Sequence, residues 1–217
     1  MRNFFIFLVF GWAHAYLLTF IMIAGRTIGA YFIGGAEIWG GVLSIVVLAI
    51  TLGFIVGGAF ANMTQTIRML GAFVMAAGAA AIFTFAQGGN MIAWVVTLLY
   101  RNPGVSTTYG AMLATLIVYA LPIWLLSMVM PYTVRLIQPP LEMDYRKGST
   151  NARKKESGAA IGWIILVGGV SAMLASFLVP LYFVRWYAQD NIILALIILS
   201  TVFGLSTFFV ASSEDGL

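Results

Sequence analysis

His14 is the only imidazole in a chain of 217 residues, and it falls inside an uninterrupted apolar run. An ionisable side chain at membrane depth is a candidate for proton transfer or cofactor binding. Its plainer role is a neutral imidazole hydrogen-bonded within a helix bundle. Arg26 and Glu37 flank the next interruption of the apolar pattern. An ion pair between them would close the connection between the first two hydrophobic segments, and a substrate-binding role is the alternative. The chain has no cysteine. That excludes disulfides, thiolate metal sites, iron–sulfur clusters and a cysteine nucleophile. With one histidine, a multi-histidine metal site or a bis-histidine haem within the chain is excluded too. No carboxylate falls in the middle of an apolar run, and His14 has no acidic partner nearby in sequence. No catalytic group, metal site or cofactor is therefore expected, and the chain is not read as an enzyme.

The remaining chemistry is positive charge. Arg135, Arg146, Lys147, Arg153, Lys154 and Lys155 place six of the eleven basic residues in one hydrophilic stretch. Such a cluster attracts anionic lipid headgroups or an acidic partner. It also sets topology, because cytoplasmic loops are enriched in Lys and Arg. Nucleic acid is not the expected partner of a net charge of +4 confined largely to one loop between apolar segments.

These residues are carried by hydrophobic segments. Hydrophobic residues make up 62% of the chain and charged ones 8%, against about 25% charged in soluble domains. A chain this apolar cannot cover itself with polar surface, so lipid is its expected solvent. About 20 apolar residues cross a hydrocarbon layer ~30 Å thick. On that scale six spans are expected, over residues 3–24, 38–61, 69–86, 107–130, 157–183 and 191–210, with a basic loop over 132–156. Residues 13–15 imitate a signal-peptide cleavage site (Ala13-His14-Ala15). The apolar run continues to Ala24, so an uncleaved first helix is preferred. Met91 to Tyr100 is apolar but too short to span, and reads as an interfacial or re-entrant helix. Pro122 and Pro131 call for a kink in the fourth span. Most of the tryptophans fall near span ends, as in an aromatic belt.

Ser157 to Tyr187 is the segment around which the bundle is expected to be organised. It stays uncharged until Arg185 and carries small residues at helical spacing: Gly158, Gly162, Gly168, Ala172 and Ser176. Gly53 and Gly57 form a second small-residue pair. Such faces allow close helix approach in lipid. Six spans put both termini on one side. That side carries Arg2, Arg68 and the six loop residues, and the other carries Arg26, Arg101 and Arg185. The bias gives cytoplasmic termini in a bacterial-type inner membrane. A seventh span at Met91–Tyr100 would put the Arg153 cluster outside, against the rule.

Two blocks resemble the membrane portion of fused major-facilitator/spermidine-synthase-type proteins. The first is Ala24-Gly25-Arg26 through Ala30-Tyr31-Phe32, then Trp39-Gly40, Leu52-Gly53-Phe54 and Gly57-Gly58. The second is Leu121-Pro122, Met128 to Arg135, Gly158-Ala159 through Gly168-Gly169, Leu178-Val179-Pro180 and Val184-Arg185. The family often has a glutamate where this chain has Ile21. Its arginine and aspartate after the paired glycines are replaced within Ala59-Phe60-Ala61-Asn62. A soluble aminopropyltransferase domain is not expected. The resemblance implies an all-α bundle like one six-helix half of a major-facilitator protein, and no polyamine synthesis. The expected function is a non-enzymatic subunit or scaffold of a membrane complex, with lipids and other subunits or a second copy as partners. The alternative is a homodimeric transporter of a polyamine or lipid-like solute.

Overall fold

The computed structural model describes residues 2–32, 35–137 and 150–215. Among them every element is helical: α1 (Arg2–Tyr31), α2 (Ala36–Met63), α3 (Ile67–Arg101), α4 (Thr107–Val118), α5 (Ala120–Ser127), α6 (Val129–Ile137), α7 (Thr150–Leu178), a π-helical turn (Val179–Phe183), α8 (Val184–Trp186) and α9 (Gln189–Asp215). Six stretches are long and apolar enough to cross a membrane: Arg2–Tyr31, Ala36–Met63, Ile67–Arg101, Ala120–Ile137, Ile161–Phe183 and Gln189–Ala211. The protein is an all-α polytopic membrane protein. Helices satisfy their own backbone groups, which hydrocarbon cannot do for them.

Several expected boundaries move. Gly25 to Glu37 is not one turn, because α1 stays helical to Tyr31. Gly25 is there for close approach: a Cβ would overlap the Trp39 ring of α2. The third span does not end at Gln87–Asn90, and Met91–Tyr100 is not a separate interfacial helix. Both belong to α3, whose 35 residues extend about 52 Å, well beyond a ~30 Å hydrocarbon layer. Gly88 lies against Val118, 3.1 Å from where its Cβ would sit. The separate short apolar helix is α4. The basic loop is also shorter than 132–156, since Tyr132–Ile137 belong to α6 and α7 starts at Thr150.

α4, α5 and α6 form one broken rod, interrupted at Tyr119 and Met128. Each break lies three residues before a proline, Pro122 or Pro131. Proline has no N–H for the carbonyl four residues back and crowds it sterically. Pro122 thus releases the carbonyl of Val118. The Thr84 hydroxyl of α3 donates to that oxygen at 2.7 Å. The second break receives α2. A Cβ on Gly57 would lie 2.5 Å from Met128 O and 2.7 Å from Met128 Cα. On Gly53 it would lie 2.5 Å from Trp124 O and overlap Ser127 Oγ.

A comparable seam joins α3 to α9, where Gly71 faces Thr207 and Gly204 O, and Gly78 faces Ser200. At the end of the bundle, the Tyr132 hydroxyl donates to Thr66 O and accepts from Thr66 N–H, both at 3.0 Å. That ties α6 to the α2–α3 link.

The centre of the bundle is α1, not the Ser157–Tyr187 segment. Half of the most apolar window of α1 is buried (50%), against 22% for Ile161–Phe183. α1 packs against α2, α3, the broken rod, α7 and α9, whereas α7 rests mainly on α1. Apolar length alone cannot distinguish a central helix from a peripheral one in lipid.

Candidate functional site

α7 and α9 both lean on the bundle but barely touch each other. The gap between them is a groove of about 1130 Å³, larger than the ~300–1,000 Å³ of ordinary small-molecule pockets. α1 is its floor through Gly11, Trp12, Ala15 and Thr19. Val167, Ser171 and Leu174 of α7 form one wall, and Ala195, Ile198 and Phe203 of α9 the other. Many lining residues, such as Trp163, Leu174 and Ile198, are also exposed. The groove therefore opens sideways toward lipid. Along α1 it runs from Phe4 to Thr19, about 22 Å at ~1.5 Å per residue. Its lining is almost wholly apolar. Trp12 stacks on Phe203 with ring centroids 5.3 Å apart, and its buried indole N–H has no hydrogen-bond partner among the described residues. Trp12 therefore serves the interior, whereas Trp39, Trp94, Trp163 and Trp186 are exposed.

One end of the groove meets a smaller recess of about 130 Å³, lined by Ile23, Arg26, Tyr187, Ala188, Gln189 and Ile192. Tyr187 and Ile192 border both cavities. The recess is less apolar than the groove, because Arg26 and Gln189 line it. Gln189, which opens α9, donates through Nε2 to Thr27 Oγ1 of α1. Thr27 in turn donates to Ile23 O at 2.8 Å. The Tyr119 hydroxyl, at the break between α4 and α5, reaches Thr27 and Gln189 as well. Arg26 is the only charged side chain lining either cavity among the described residues. Arg185 lies two residues before Tyr187, its guanidinium carbon 5.8 Å from the Trp186 ring centroid.

The structure separates His14, Arg26 and Glu37. His14 is half-buried; its Nδ1–H donates to Phe10 O at 3.2 Å, and its ring lies 4.2 Å from that of Phe10. The opposite edge of the imidazole faces Gly168 of α7. Arg26 is twelve residues further along α1, about 18 Å away on a helix. Among the described residues it makes no ion pair with Glu37. The continued helix turns Arg26 toward the α8–α9 junction, while Glu37 is exposed in the first turn of α2. There its charge complements the helix dipole. No cluster of three metal-ligating side chains occurs among the described residues.

The other expected residues divide by position. Gly53, Gly57 and Gly168 are buried against neighbouring helices of the same chain, whereas Gly162 is exposed with open space over it. Ala172 and Ser176 are half-buried. The inward stripe of α7 is Ile164, Gly168 and Ala175, continued by Val179 in the π-helical turn. Arg135 is half-buried in the last turn of α6, and its Nε has no hydrogen-bond partner among the described residues. Arg153, Lys154, Lys155 and Gly158 lie in α7, but their surroundings fall outside the described residues, as do Arg146 and Lys147 entirely. The recess around Thr27 and Gln189 had no local sequence signal, because its members are 162 positions apart. No family model, curated protein or solved structure matches the chain.

Proposed function

We propose that the protein is a non-enzymatic membrane subunit that joins a larger assembly through the outward side of α7. This face carries the reading. Its span is the least buried of the six. Gly162 and Gly169, seven residues apart and so on one side of the helix, have nothing among the described residues within 4 Å of a Cβ position. Glycine there lets a partner helix approach closely, and close packing drives association in lipid. Ile165 and Met173 on the same side are more than half exposed (60% and 63%). The resemblance to a six-helix half-bundle supports the reading, since a half-bundle needs a second half. The charge bias orients both termini toward the cytoplasm of a bacterial-type cell.

The test is purification of the tagged protein in mild detergent, with the stoichiometry of accompanying proteins measured. A partner in fixed ratio is expected. Gly162→Leu combined with Gly169→Leu should release it while the variant still inserts and melts normally. Undiminished partner recovery in that variant would remove α7 as the docking face.

The groove favours a second reading, a homodimeric carrier of a lipid-like solute. Its lining contains no carboxylate, so a polycation would find no counter-charge there. Solute flux that stops when the groove is filled by Ala195→Trp would support this reading over the first.

A further inference from the structure

We propose that the groove and the recess together hold one acidic membrane phospholipid. The acyl chains lie along α1 between α7 and α9, and the phosphate-bearing headgroup sits at Arg26. This site is separate from the outward face of α7 and stands or falls independently of the subunit reading. Three observations support the assignment. First, the two cavities adjoin, sharing Tyr187 and Ile192 in their linings, so the path from one to the other is short. Second, polarity changes along that path as it does along a lipid. The groove between Phe4 and Thr19 is apolar, and Asn191, Gln189 and Arg26 follow at its end. Arg26 lies seven residues beyond Thr19, about 10 Å further along the helix, where a headgroup would be. Third, charge is complementary. Arg26 is the only charged group lining either cavity among the described residues. The nearby acid, Asp190, sits in the first turn of α9 and lines neither. Glu37 lines neither as well.

Charge favours a lipid over an apolar helix, which would fill the groove but leave Arg26 without a counter-charge. Flexible acyl chains fill an irregular apolar groove and bring a phosphate to its end.

The full-length protein, stripped of lipid in mild detergent, would be titrated with phosphatidylglycerol and with phosphatidylcholine of identical chains, and bound lipid counted by native mass spectrometry. Phosphatidylglycerol should bind the more tightly. Arg26→Gln should weaken it about fivefold, to the level of phosphatidylcholine. Ala195→Trp, at an exposed position of the groove wall, should remove both lipids. Arg101→Gln, an exposed arginine outside both cavities, should change nothing. Glycerol 3-phosphate, which has the headgroup chemistry without chains, should not compete. Melting midpoints confirm that each variant is folded. An unchanged preference in Arg26→Gln would overturn the proposal, as would an equal loss in Arg101→Gln or full lipid binding in Ala195→Trp. Displacement of a co-purified protein by Ala195→Trp would assign the groove to a helix instead. Competition by glycerol 3-phosphate would reduce the site to a phosphate-binding recess and overturn the lipid assignment.

Discussion

Gly53 and Gly57 on α2 and Gly162 and Gly169 on α7 are the same residue type at helical spacing. They have opposite surroundings. The α2 pair is pressed against the broken rod, within 2.5 Å of the Trp124 and Met128 carbonyls at the Cβ positions, whereas the α7 pair faces open space. A glycine pair therefore marks a capacity for close approach and does not name the neighbour. On α2 the neighbour is supplied by the chain itself, because the opposite helix breaks at Met128 beside it. On α7 no described element of the chain fills the face, and this is why it is the docking surface we favour.

The largest expected effect separates these two faces. Gly57→Leu would push a side chain into the Met128 backbone and should cost about 3 kcal/mol or more. Gly162→Leu in the isolated subunit should stay within about 0.5 kcal/mol. Reversible unfolding in mixed detergent micelles measures both. Equal losses at the two positions would dissolve the contrast.

A smaller effect concerns how the broken rod is held. Thr84→Val removes the hydroxyl from the Val118 carbonyl with little change of shape. It should cost about 1 kcal/mol, and Thr84→Ser should recover most of it. If valine is tolerated without loss, the bond is not what supports the α5 break.

The smallest effect is a coupling. Pro122→Ala restores an N–H that can reach the same carbonyl. In that background Thr84→Val should cost about 0.5 kcal/mol less than in the native chain. Strict additivity in the double-mutant cycle would show that the proline and the threonine act independently.

Much of the architecture was legible from local composition. The number of spans followed from apolar lengths, and the kinks from Pro122 and Pro131, but the fourth span falls over Ala120–Ile137 and not over 107–130. Element ends were less legible. Gly25, Gly88 and Gly89 read as turn residues, yet each sits inside a helix because a neighbouring chain segment uses the missing side chain or leaves it room. Tyr132 reads as loop and is fully buried, since its hydroxyl closes on Thr66. His14 stood out as an ionisable residue inside a span, and Arg26 and Glu37 as residues flanking one connection. Helix geometry places them on separate surfaces, and Arg26 alone reaches a cavity.

Span number and charge bias depend on properties that each segment carries by itself: its apolar length against a fixed hydrocarbon thickness, and the charges at its ends. The central place of α1, the gap between α7 and α9, and the meeting of Thr27 with Gln189 depend on which faces pack together. In lipid, apolar faces compete with equally apolar acyl chains, so hydrophobicity cannot rank them. Packing fit between distant helices makes that choice, and it exists only once the chain is folded.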